Sequence, residues 1–411
     1  LCQNPVEETC METIAPSAVP RSRAASAAAL PWYVSAMLVG STSIVVGVLW
    51  DISWHMTIGR DTFWTPAHLA IYLGGVIAGI SCGWLALRTT FAGTPEAHSA
   101  AVRFWGFRAP LGAWVAIWGA IAMLTSAPFD DWWHNAYGLD VEILSPPHSV
   151  LAAGMIAIQI GAMLLALALQ NRQSANAANA ANVANTAGEG RALGVAHLYA
   201  AGAVLVMVTI LFMEDSYPNA QHVSFFYKVM AGALPVFLVA VARSSRLRWA
   251  ATITAAFYML IAAAMVWILP LFPAQPLLAP INNPVDHMVP TLFPLLLVVP
   301  ALAVDLLLGR RPDKRAGWLD AAAIGAAFLA LLFVTQWFFA EFMLTPGARN
   351  WFFAGDRNWD YTLSLSDWRY RFWDVDEDPV TPAGLGIALL LAIVSTRLGL
   401  WWGAWMARVQ R

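Results

Sequence analysis

Asp51, His55 and His68 are the side chains of this sequence best spaced to do chemistry. They stand in the stretch DISWHMTIGRDTFWTPAH, residues 51–68. Asp51 and His55 are four apart, so a helix running through them sets both on one face, one turn from each other. Gly59 then permits the chain to reverse. Pro66 suits the first turn of a following helix, and His68 comes just after it. Antiparallel packing of two helices joined in this way brings His68 beside Asp51 and His55. Two imidazoles and a carboxylate with open positions suit copper, zinc or iron, whereas magnesium or calcium would demand more oxygens. Asp61 is an additional candidate, either orienting a ligand from behind it or pairing with Arg60.

The same pattern occurs again. Residues 130–148 read DDWWHNAYGLDVEILSPPH. Aligned on the first histidine, Asp130 falls on Asp51, Trp133 on Trp54, His134 on His55, Gly138 on Gly59 and Asp140 on Asp61. His148 falls on His68 with one residue inserted. Asp130, His134 and His148 are therefore a second expected ligand set, and Asp140 is the counterpart of Asp61. Cys2, Cys10 and Cys82 form no CxxC pair, so a metal would be held by histidine and carboxylate. His222 and His287 are further candidates, because each opens a later apolar stretch as His68 and His148 do. A single histidine at the end of a membrane helix is more often an interface residue. The ordered duplication makes metal binding the stronger reading, and a hydrogen-bond network or a proton or substrate path is the alternative.

Such residues need helices to carry them. The chain has 411 residues, 59% hydrophobic and 12% charged, with a mean hydropathy of +0.60. Soluble domains carry about 25% charged residues. The composition therefore gives an all-α polytopic membrane protein, and a net charge of −2 gives no case for nucleic acid. Stretches of roughly 20 apolar residues are candidate spans. They fall at 32–50, 66–90, 107–127, 147–170, 193–213, 222–242, 247–270, 287–308, 317–343 and 382–407, about ten in all. Arginine and lysine gather in alternate loops. By the positive-inside rule this puts both termini in the cytoplasm and makes five outward-facing hairpins. Both motif copies then face the outer, periplasmic side of a bacterial-type inner membrane.

The expected organisation has four parts. A disordered tail covers 1–30, with Met11 as a candidate start. A four-helix unit bearing both motifs covers 31–170. A low-complexity Ala/Asn linker covers 171–192. A six-helix unit covers 193–411, with an ordered outer cap at 344–381, because a loop of that length is usually functional.

The first motif also resembles a known family. Asp51, Trp54, His55, Arg60, Asp61, Thr62, Thr65, Pro66 and His68 resemble the pattern in the C subunit of the copper membrane monooxygenases, which include the particulate methane and ammonia monooxygenases. The resemblance implies that Asp51, His55 and His68 are copper ligands. It covers about 25 of the 411 residues. The chain is longer than that subunit, and its second copy has Leu139 at the Arg60 position and SPPH in place of TPAH. Nothing resembles the soluble cupredoxin domain of the family's B subunit. The resemblance thus bears on a copper site more than on methane or ammonia as substrate. The leading expectation is a copper-dependent membrane monooxygenase or a subunit of one, working beside membrane lipid on a small lipophilic substrate with partner membrane subunits. The alternatives are copper or zinc handling, by transport or as an assembly factor, and a zinc-dependent membrane hydrolase with Asp61 or Asp140 as base. Non-covalent haem between paired histidines is a fourth. The residues that would carry catalysis are not identified by the pattern.

Overall fold

A computed structural model describes residues 30–138, 145–177, 183–309, 317–364, 367–372 and 379–411. The first hairpin is α1 (Trp32–Thr57) and α2 (Pro66–Ala92). A short helix α3 (Pro95–Ser99) and a two-stranded ribbon, β1 (Val102–Phe104) and β2 (Phe107–Ala109), lead to the second. That hairpin is α4 (Leu111–Tyr137) and α5 (Pro146–Ala177). The remaining helices are α6 (Val183–Ile210), α7 (Ser224–Ser244), α8 (Ala250–Ile268), α9 (Val298–Gly309), α10 (Trp318–Met343) and α11 (Pro382–Met406). Among the described residues nine helices are long and apolar enough to cross a membrane.

Small residues let the paired helices come together. A Cβ on Gly40 would lie 2.9 Å from the Gly74 carbonyl, and one on Gly47 would lie 3.0 Å from the Ala67 carbonyl. In the second hairpin a Cβ on Gly119 would lie 2.6 Å from the Gly154 carbonyl. Apolar side chains gain little from leaving lipid for protein, so such close backbone contact supplies the packing that joins membrane helices. The pairings descend along one helix as they rise along the other, so each hairpin is antiparallel.

The stretch 287–308 departs from a continuous span. Only Val298–Gly309 is helical, 12 residues. Residues 288–297 are non-helical, though Met288, Val289, Thr291, Leu295 and Leu297 are buried. Pro290, Pro294 and Pro300 account for this, since a proline disfavours helix in the residue before it and lacks a donor of its own. Buried backbone in a membrane protein must find partners. Val289 N donates to Thr57 Oγ1 (2.7 Å), Leu295 N to Tyr258 Oη (3.0 Å) and Leu296 N to Gln336 Oε1 (3.1 Å). Gln336 Nε2 in turn donates to Gln221 Oε1 (2.7 Å).

The Ala/Asn run also departs from a plain linker. Helix α5 continues to Ala177 and α6 resumes at Val183, as alanine's high helix propensity favours. One continuous apolar core takes in residues from Met37 in α1 to Met406 in α11. The four-helix and six-helix parts are therefore packed on each other. Residues 1–29, the expected tail, lie outside the described residues.

The cap fastens the first motif in place. Tyr361 N donates to Met56 O (3.1 Å), and Leu277 N donates to Ile58 O (3.0 Å). Asn282 and Asn283 both donate from backbone nitrogen to Tyr361 O, at 3.0 and 2.9 Å. The end of α1 is thus gripped by two loops of the C-terminal half.

Candidate metal centre

Asp51 and His55 stand one turn apart in the last two turns of α1, and His68 lies in the first turn of α2. Between them the chain reverses at Gly59, whose φ is +82°. Gly138, its counterpart in the second copy, has φ +100°. An L-side chain is strained in that region and glycine is not, so glycine suits both positions. Trp54 Nε1 donates to Arg60 O (2.8 Å) and Thr62 N donates to Thr65 Oγ1 (2.8 Å). These bonds fold the connecting loop back and carry Asp61 to the face that holds Asp51 and His55.

Four side chains meet there. His68 Nε2 lies 3.1 Å from Asp51 Oδ1 and 3.4 Å from Asp61 Oδ2. His55 Nε2 lies 3.5 Å from the same Asp61 oxygen and 3.9 Å from Asp51 Oδ2. Asp51, His55 and Asp61 can each offer a ligand atom within 4.8 Å of the others. Donors set tetrahedrally about a metal at 2.0–2.1 Å are roughly 3.3 Å from one another. The four observed separations bracket that value, and Asp51, His55 and Asp61 are compact enough to share one ion; His68 adjoins two of them without belonging to that group. Asp61 stands as near the imidazoles as Asp51 does. No ion pair joins it to Arg60 among the described residues.

The protons sharpen the picture. His68 Nδ1 is 2.9 Å from Thr62 O, and a carbonyl can only accept, so Nδ1 carries a hydrogen. In neutral His68 the Nε2 atom then presents a lone pair. It faces two carboxylate oxygens, which are acceptors too. Asp51 Oδ1 is buried, and this ring nitrogen lies at hydrogen-bond distance from it. Acceptors gathered in this way repel unless a proton on nitrogen or a cation stands among them. For Asp61, the hydrogen bond with His55 holds its carboxyl below the usual range, outweighing the opposing effect of burial. The His55 side chain keeps 50% of its exposure, so the site opens to solvent on that side.

The second copy repeats the cross-hairpin pair. His148, in the first turn of α5, has Nε2 3.4 Å from Asp130 Oδ1 on α4. Its backbone nitrogen donates to Ser145 Oγ (3.4 Å), a residue placed as Thr65 is before α2. Pro128 lies within α4 two residues before Asp130. His134 is one turn beyond Asp130 in the same helix; its side chain and the whole of Asp140 lie outside the described residues.

Tyr72 is a site neighbour that the motif spacing does not mark. Its ring is 6.1 Å from that of His68, and its phenol lies within electrostatic reach of Asp51, Asp61 and Asp130. It therefore lies in the electrostatic field of both copies, in keeping with the packing of α2 on α4. The available signal was its position four residues after His68, on the same helix face.

His222 and His287 are engaged elsewhere. The His222 ring is sandwiched between Trp337 and Phe372, with centroids 3.6 and 3.2 Å away, and its Nε2 donates to Trp337 O (3.2 Å). His287 Nδ1 is 2.8 Å from Asp286 Oδ1. Neither has a described contact with the Asp51 cluster. No family model, curated protein or solved structure matches this chain. What the residues supply chemically is a set of two nitrogen and two oxygen donors at the end of a membrane-helix hairpin.

Proposed function

We propose that this integral membrane protein binds a copper ion through Asp51, His55, Asp61 and His68, and acts as a copper-dependent monooxygenase or as a subunit of one. The observation that carries the reading is the arrangement at His68. Nδ1 is held by Thr62 O, and the remaining ring nitrogen faces two carboxylates, an arrangement that needs a proton or a cation among them. That is how a protein orients a histidine to hold a metal. Copper, when bound, would supply one-electron chemistry towards oxygen, and imidazole with carboxylate is a donor set it accepts. The chain's own part is to hold four donors in place: Trp54 and Gly59 shape the loop, and Tyr361 grips it from the cap. Asp130, His134 and His148 are proposed as a second centre of the same kind. The motif resemblance to the copper membrane monooxygenases supports the choice of copper and of oxidation.

One observation favours a second reading. The half-exposed His55 leaves the centre open to water, as a site that passes copper or zinc to another protein would need, or one that activates a zinc-bound water. Metal analysis of the purified protein separates these. The proposal expects copper, with the paramagnetic resonance of a nitrogen- and oxygen-ligated copper(II). His55→Ala and His134→Ala should each remove about half of the metal if the centres are independent. Zinc in place of copper would sink the monooxygenase reading. Unchanged metal content in the double variant would sink the site itself.

A further inference from the structure

Helices α1, α6 and α8 leave between them a groove of about 1000 Å³. Val39 and Val195, both in its lining, are 58% and 41% exposed, so it opens towards lipid. The walls are apolar apart from a few groups. Thr42 and Tyr199 satisfy each other, with hydroxyls 2.6 Å apart, and Thr42 Oγ1 also donates to Leu38 O. Ser43 Oγ donates to Ala70 O (2.6 Å). The one charged residue in the lining is Arg191. It has no ion pair among the described residues, and Glu189, the acid nearest to it in sequence, accepts from Gln173 Nε2 (3.1 Å).

Arg191 is not alone at its end of the groove. Gln170 Nε2 donates to Gly190 O (2.6 Å), which ties the start of the exposed part of α6 to the part of α5 that carries Arg172. Arg172 and Arg88 both lie within electrostatic reach of Tyr33, near Leu30 at the same end. Leu30 and Val46 are sixteen residues apart, about 24 Å at 1.5 Å of helical rise per residue. Half of a bilayer's hydrocarbon core is about 15 Å thick. The groove is therefore long enough to hold an acyl chain with its headgroup at Arg191.

We propose that this groove is a binding site for an anionic phospholipid, its chain along Val39, Val46 and Phe257 and its phosphate against Arg191. A zwitterionic phospholipid offers the same chains and phosphate, but its own ammonium would lie beside Arg191. The occupant follows from that charge complementarity and does not depend on the metal reading.

Native mass spectrometry of the full-length protein, exposed to equal amounts of phosphatidylglycerol and phosphatidylcholine, tests the assignment. Phosphatidylglycerol should be retained about fivefold over phosphatidylcholine, the equivalent of about 1 kcal/mol for a basic residue beside an anionic headgroup. Arg191→Gln should bring the ratio close to one, and Arg191→Lys should keep it. Val195→Trp, which fills the groove, should lower retention of both lipids. Melting curves identify any variant that fails to fold; if Arg191→Gln does, Val195→Trp still decides. Equal retention by the unaltered protein, a ratio unmoved by Arg191→Gln, or full retention by Val195→Trp would each overturn the proposal.

Discussion

Thr57→Val is the substitution that most directly tests how the first hairpin is fastened. Thr57 is fully buried; its hydroxyl donates to Ser53 O (2.6 Å) and accepts from Val289 N (2.7 Å). Valine has nearly the same shape, so packing changes little. The acceptor vanishes, and Val289 N–H is left buried in a non-helical stretch. A buried donor without a partner costs about 1–3 kcal/mol. Membrane hydrogen bonds often measure less, about 0.6 kcal/mol on average, because the groups find other partners. That escape is closed here, since Pro290 and Pro294 prevent residues 288–297 from winding into helix. The upper range should therefore apply. Thr57→Ser keeps the acceptor and loses one methyl, about 0.8 kcal/mol. Equilibrium unfolding in detergent should then rank the unaltered protein first, serine second and valine last. Thr57 and His55 are two residues apart, so they point to nearly opposite sides of α1. Metal content should survive in both variants. A valine variant as stable as the serine one would refute the claim that Thr57 serves residues 288–297 as their helix substitute.

The sequence made the long spans and the motif hairpins readable because both depend on local signals. Hydropathy over some twenty residues marks a span, and the four-residue spacing of Asp51 and His55 marks a shared face. Residues 287–308 were harder. Hydropathy measures the affinity of side chains for lipid and is blind to where the backbone hydrogen bonds go. The usable signal was Pro290, Pro294 and Pro300, and even these do not say that Thr57, Tyr258 and Gln336 would supply the partners. Asp61 shows a second limit. Its place beside both imidazoles depends on the left-handed turn at Gly59 and on the Trp54–Arg60 bond, neither of which has a periodicity. The grip of Tyr361 on Met56 joins residues about 300 positions apart, and no local pattern in either stretch could have paired them. The Ala/Asn run misled through composition, since low complexity suggests a loop while alanine favours helix.

Two further outcomes follow. His222 is held neutral by burial, against the opposing pull of the Trp337 carbonyl and Glu341, so its folded pKa lies below the ordinary 6.5. Its contribution to stability is then fully present above 6.5 and is lost as pH falls through the folded value; melting curves from about pH 7.5 to 5 should show a decline that His222→Phe, which preserves the stack, flattens. The last outcome compares the two motif copies at matched positions. Gly59→Ala and Gly138→Ala each force a side chain into positive φ, at φ +82° and +100°, a strain of about 1–3 kcal/mol. Beyond that they differ. A Cβ at Gly59 collides with the Tyr361 hydroxyl and ring, whereas one at Gly138 has no described neighbour within 4 Å. Tyr361 has little room to swing away, because its side chain is buried, 6% exposed. Gly59→Ala should therefore destabilise more than Gly138→Ala. It should also loosen metal at the first centre, since the same loop carries Asp61. Melting temperature and metal content of the two variants measured side by side decide the matter, and equal losses would mean that the cap does not hold the first hairpin.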